Sequence, residues 1–336
     1  MKIGGFDLTQ KVLIVAEIGN NHEGDFATAQ KLVGEAAACG VGAVKFQVFR
    51  TRHFVSAGDR ARYDRLSSFE LSYGQFEELH RLAKSLGLLF IATPLDLESA
   101  AFLEGIVDAY KIASGDNNFY PLIERVCRTG RPIILSSGLT DLDGIRKSTV
   151  FIEERWRTFG IRQNVVILHC VSGYPVPPEQ ANLGAIPTLA RELECTVGYS
   201  DHALGIEACT IAAALGARII EKHFTLDKEY SDFRDHQLSA DPTEMAHLVR
   251  RIADVRSLLG TGEKLLQEIE RGAETQVRRS IVAGADLPAG HRVRLEDLTW
   301  IRPAVGLPPG EEARIVGKRL RRAVAFGEPI LPADVE

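Results

Sequence analysis

The sequence predicts a closed (β/α)8 barrel followed by a small β-rich domain, on three observations. Eight short apolar runs recur between Lys11 and about Gly260, most are followed by a stretch of helix length, and the composition changes near 270–280. Eight parallel strands with crossover helices over roughly 250 residues fit one barrel, residues 1–260.

The runs are VLIVAEIG (12–19), AVKFQVF (43–49), LLFIATP (88–94), AYKIASG (109–115), PIILSSG (132–138), VVILHC (165–170), CTVGYSDH (195–202) and ARIIEKHF (217–224). Most do not alternate polar with apolar residues, which marks strands buried on both faces of a parallel sheet. Helical patterns at 26–40, 72–87 and 207–216 each end in Gly, a common helix stop. A doubly wound open sheet would bring fewer strands and a Gly-rich nucleotide turn, and neither GxGxxG nor GxxxxGK[ST] is present. Residues 261–277 read as a charged, helix-forming linker. Residues 278–336, with short strands and frequent Gly and Pro, read as a compact β-rich module, too small to be more than marginally stable alone.

Composition narrows the function. Of 336 residues 45% are apolar and 25% charged, ordinary for a globular chain. The net charge of −5 offers no bulk positive field for nucleic acid, so an anionic substrate must be met by a few placed cations. No apolar stretch has the length of a membrane span, and MKIGGFDLTQ lacks the apolar core of a signal peptide. Five scattered cysteines without a CxxC read as reduced thiols, so a cytoplasmic protein is expected.

Polar residues recur where the apolar runs end: Glu17, Lys45 and Gln47, Thr93, Lys111 and Ser114, Ser136, His169, Ser200 and His202, Glu221 and His223. Barrel enzymes carry their chemistry at the carboxyl ends of the strands, so these residues are expected to share one mouth. Burying so many ionisable groups is costly unless they meet one another, a metal or a charged ligand. Lys45 and Lys111 with Thr93, Ser114, Ser136 and Ser200 suit a phosphate and an adjacent carboxylate. A Schiff-base lysine, as in an aldolase or lyase, is the alternative role. His202 and His223 fall on neighbouring strand ends, where two imidazoles with open positions suit a divalent ion such as Mn²⁺, Mg²⁺ or Co²⁺, with Glu221 and Asp235 as carboxylate partners. His169 reads as a core histidine. Glu17, Asp201, Glu221 and Asp235 are candidates to meet sugar hydroxyls, hold the metal or move protons.

In order along the chain, AEIGNNHEG, KFQ, ATP, YKIASGD, LSSGL, LHCVSGYP, GYSDH and EKHFTLDK resemble the motifs of the sialic acid (N-acetylneuraminate) synthase family. Residues 278–336 resemble its C-terminal antifreeze-like (SAF, β-clip) domain. The resemblance implies a transferase that condenses phosphoenolpyruvate with an N-acetylated aminosugar in its open-chain aldehyde form, such as N-acetylmannosamine, releasing phosphate. It places the metal on His202 and His223, and phosphoenolpyruvate on Lys45, Thr93, Lys111, Ser114, Ser136 and Ser200. It places the sugar by Glu17 and Asp235, with Gln47 and Tyr174 nearby and Glu221 beside the metal. It further implies a domain-swapped homodimer in which Arg302 of one subunit meets the acetamido group in the other.

Three departures bear on the sugar. EYSDFRDHQLSADP replaces the family's commoner Gly-Pro-Asp-His form, Ser172 stands where some members carry asparagine, and RPAVGL puts Ala304 into the usual Arg-Pro-Gly-x-Gly. Acceptors leading to N-acetylneuraminate, N,N'-diacetyllegionaminate or pseudaminate therefore all stay open. So does a non-catalytic sugar-binding protein on the same scaffold.

Overall fold

The computed structural model describes all 336 residues, which divide into two compact units, Met1–Gly260 and Thr261–Glu336. The first is a closed barrel of eight parallel strands: β1 (Leu13–Gly19), β2 (Ala43–Val48), β3 (Leu89–Pro94), β4 (Ala109–Ile112), β5 (Ile133–Ser136), β6 (Val165–Cys170), β7 (Thr196–Asp201) and β8 (Ile219–His223). Each strand pairs with the next in sequence, and β8 pairs with both β7 and β1 to close the ring. No helix is long and apolar enough to cross a membrane.

The absence of polar alternation in the runs has a direct cause. One face of each strand packs outward on the helices, through residues such as Ile14, Ala16, Val44, Phe46, Phe90 and Tyr110. The other face fills the barrel with Leu13, Val15, Ala43, Leu89, Ile91, Ile134, Val166, Leu168 and Ile219. Both faces are apolar because both are buried.

The helices start on side-chain caps. Asp25 accepts from the Thr28 N–H at 2.7 Å to begin Phe26–Ala38, which turns Ala29, Leu32, Val33 and Ala36 to the core at helical spacing. Ser72 and Gln75 form a capping box at Tyr73–Ser85. A feature without a sequence signal precedes β1. Lys2–Ile3 pairs antiparallel with Phe6–Asp7, and Ile3 and Leu8 join the apolar interior at the amino ends of the strands, closing the floor of the barrel.

The second unit pairs Ser280–Ala283 (β9) antiparallel with Leu298–Ile301 (β10), around a core that includes Ile281, Val293, Ile315, Leu320, Val324 and Ile330. Residues 261–277 group with it, the Ala304 N–H donating to Thr275 O at 2.7 Å. Within them lie two single helical turns, Glu268–Arg271 and Glu274–Val277.

Candidate active site

Strand register sets the site. Glu17 lies level with Lys45 on β2 and with His223 on β8, Gln47 with Thr93, and Ser200 with Glu221. These residues continue the inward-facing positions beyond the apolar layer, and they line a cavity of about 900 Å³ at the carboxyl ends of the strands.

Four charges occupy its base. Lys45 Nζ is 2.9 Å from Glu17 Oε2 and 3.5 Å from Glu221 Oε1, and Lys111 Nζ is 3.3 Å from the same Glu221 oxygen, all on side chains at most 7% exposed. Burial raises the Glu221 carboxyl, but Lys111 and Lys45 outweigh it and pull the pKa down to about 2. Burial raises Glu17 above its ordinary range, and Lys45 only partly offsets this. Burial lowers Lys111, whereas Glu17 and Glu221 hold Lys45 above its ordinary value against the same penalty. Lys111, with one carboxylate contact, is the less neutralised of the two ammonium groups.

Hydroxyls surround these charges. Thr93 Oγ1 accepts from Lys45 Nζ at 3.2 Å, and Ser200 donates to Glu221 Oε1 at 2.9 Å. Ser114 Oγ accepts from the Gly138 N–H at 3.2 Å, while the buried Ser136 Oγ has no partner. All four line the cavity.

The imidazoles of His202 and His223 stand side by side, ring centroids 5.5 Å apart. His202 Nδ1 lies 2.9 Å from Val171 O; donating there leaves Nε2 with its lone pair. Burial opposes the charged form of His202, but Cys170, whose Sγ lies 3.8 Å from Nδ1, and the Val171 carbonyl raise its pKa. His223 is held neutral, well below the usual range, by burial and by the neighbouring His202 and Lys45, and its Nδ1 is buried without a hydrogen-bond partner. The donor set therefore fits an ion held by two imidazoles with open positions. No group of three His, Cys, Asp or Glu is arranged to hold a metal. Of the expected carboxylate partners, Glu221 is engaged by the lysines, and Asp235 Oδ2 is 3.9 Å from His223 Nδ1.

Towards the rim, Tyr174 packs on His202 with ring centroids 4.2 Å apart, and the Arg234 guanidinium lies 4.5 Å over the Tyr174 ring. Burial raises Asp235, and Arg234, whose Nε lies 3.5 Å from Asp235 Oδ1, only partly offsets this. Gln47 donates to Glu17 Oε1 at 3.2 Å.

Every candidate from the barrel in the phosphate, metal and sugar sets thus borders one cavity. Arg302 belongs to the second unit and is exposed. Asp201 is a correction: its neighbours Ser200 and His202 face the cavity, so alternation turns Asp201 outward. There it pairs with Lys222 and accepts from Tyr199 Oη and the Ala203 N–H. His169 is a core histidine, its Nε2 2.9 Å from Ala181 O. Sequence reasoning missed Arg62 and Arg65, one helical turn apart on Arg60–Phe69, together with Arg234, Cys170 and a role for Asn20, all of which line the cavity. Strand alternation would have found Cys170, two residues beyond Leu168.

Residues 32–264 match the NeuB family, and residues 278–336 match the SAF domain. The chain belongs to the NeuB family. Among its NeuB-family relatives, the N,N'-diacetyllegionaminic acid synthase of Legionella pneumophila is 37% identical, over 96% of this chain and 94% of that protein. The N-acetylneuraminate-9-phosphate synthase of Mus musculus is 31% identical over 96% and 92%. The solved N-acetylneuraminic acid synthetase of Leptospira borgpetersenii, in complex with citrate, superposes with a TM-score of 0.73 at 34% identity, over 81% of this chain and 92% of that one.

Proposed function

We propose that this NeuB-family chain is a nonulosonic acid synthase that condenses phosphoenolpyruvate with an open-chain N-acetylated aminosugar and releases phosphate. The observation that carries it is the shared cavity, in which two buried ammonium groups and two neighbouring imidazoles face the same space. The names of the relatives agree with it.

Lys45 and Lys111 bind the carboxylate and phosphate of the enol phosphate, and the hydroxyls of Thr93, Ser114, Ser136 and Ser200 complete the anion's hydrogen bonds. Glu221 holds both lysines in place and favours the charged form of each against burial. A divalent ion such as Mn²⁺ would bind to His202 and His223 and supply Lewis-acid polarisation of the aldehyde oxygen. Asp235, Glu17 and Gln47 orient the sugar, and Tyr174 holds the His202 ring by packing on it. A carbon–carbon bond forms between C3 of the enolpyruvate and the aldehyde carbon as the C2=C3 and aldehyde C=O π bonds open, and the aldehyde oxygen takes up a proton to become a hydroxyl. Water adds at C2 and releases a proton. The bond from C2 to the phosphate oxygen then breaks as the C2 hydroxyl passes its proton to the departing phosphate and becomes the ketone.

Phosphate release is the direct test, with phosphoenolpyruvate, Mn²⁺, and either N-acetylmannosamine or a 2,4-diacetamido hexose. Release that requires both substrates and stops on adding EDTA is expected. No release with any sugar, together with borohydride trapping of pyruvate on Lys111, would replace this reading with a Schiff-base lyase.

A further inference from the structure

The side chains around the end of β1 form a hydrogen-bond chain with a fixed direction. Glu17 faces the Lys45 ammonium at 2.9 Å, so its carboxylate accepts. Gln47 must present its NH₂ to that carboxylate, and Nε2 donates to Glu17 Oε1 at 3.2 Å. The Gln47 carbonyl is thereby turned to Asn20, whose Nδ2 donates to Gln47 Oε1 at 3.0 Å. The amide orientation of Asn20 follows from this sequence of contacts. Its Oδ1 is left over, buried with no partner in the protein, on a residue that lines the cavity and is 5% exposed. The backbone is shaped for the chain. Gly19 has φ +53°, and a Cβ there would lie 3.0 Å from Glu17 Oε1 and 3.3 Å from Gln47 Nε2.

A buried carbonyl without a donor is costly, so a donor brought to this wall of the cavity by a ligand is favoured. Ionised phosphoenolpyruvate cannot supply it, because every oxygen it carries is an acceptor. An acetamido sugar can, through an amide N–H or a hydroxyl. We propose that Asn20 is a specificity residue for the acceptor sugar, its Oδ1 accepting a hydrogen bond from an N–H or O–H of that sugar. This rests on the synthase reading above.

The test is the split between KM values in Asn20→Leu and Asn20→Ala, with thermal unfolding measured alongside. Asn20→Leu is expected to raise KM for the sugar roughly 5- to 100-fold and leave KM for phosphoenolpyruvate unchanged. Asn20→Ala is expected to raise it less, because its space admits a water that takes the donor. N-acetylmannosamine and the 2,4-diacetamido hexose identify the donor. A penalty confined to the second sugar points to its additional amide N–H, and an equal penalty points to a group common to both. If the unaltered chain releases phosphate but Asn20→Leu leaves the sugar KM unchanged, or shifts both KM values alike, this inference is overturned alone. If the unaltered chain releases none with either sugar, the synthase reading falls and takes the inference with it.

Discussion

Lys222 Nζ lies 2.8 Å from Asp201 Oδ2, with both side chains at most 1% exposed, on the outer face of the strands whose inner face carries Ser200 and Glu221. Lys222 also donates to Ala203 O, and Cys209 Sγ lies 3.2 Å from the same Asp201 oxygen. The pair ties β7 to β8 immediately behind the two imidazoles.

Removing one member leaves a charge buried without its counter-ion. Lys222→Met should lower stability by about 3–5 kcal/mol, measured as a fall in the urea midpoint. Asp201→Asn combined with Lys222→Met should recover part of that loss. A single variant as stable as the unaltered chain would show that the pair does not hold these strands.

Glu221 contributes to stability in a pH-dependent way. Its pKa is about 2 in the folded chain against an ordinary 4.5, so its ion pairs stabilise fully above 4.5 and lose their effect as pH falls towards 2. Glu221→Gln should therefore melt below the unaltered chain at neutral pH, and the gap should narrow between 4.5 and about 2. A gap independent of pH would contradict the ion-pair assignment.

Under the proposed reaction, Lys111→Ala should weaken phosphoenolpyruvate far more than the sugar. Steady-state kinetics with each substrate varied in turn checks this. An effect confined to the sugar would move the enol phosphate elsewhere in the cavity.

Mn²⁺ binding can be followed by titration calorimetry without turnover. His202→Ala and His223→Ala should each abolish measurable binding, because one remaining imidazole is a poor site. Tyr174→Phe should bind the ion as the unaltered chain does. Undiminished binding in either histidine variant would remove the two-imidazole site.

The barrel was legible because its strands are buried on both faces and leave continuous apolar runs. VLIVAEIG and VVILHC each appear in the structure within a residue of their sequence bounds. The strand-end candidates followed from the same logic, since an ionisable residue on such a strand must have somewhere to face. Asp201 was misread because polarity was weighed without alternation: with Ser200 inward, it had to point out. The hairpin at residues 2–7 escaped because two-residue strands carry no period. Arg62 and Arg65 escaped because the facing of a helix in a connecting segment depends on tertiary packing.

The plug formed by Ile3 and Leu8 has a kinetic corollary. With that end filled by apolar side chains, a guest seated on Lys45 and Lys111 as proposed would lie beneath one across Asp235 and Arg234 at the cavity mouth. Under the proposed chemistry the three-carbon partner therefore enters ahead of the sugar, an order that product-inhibition patterns would reveal or refute.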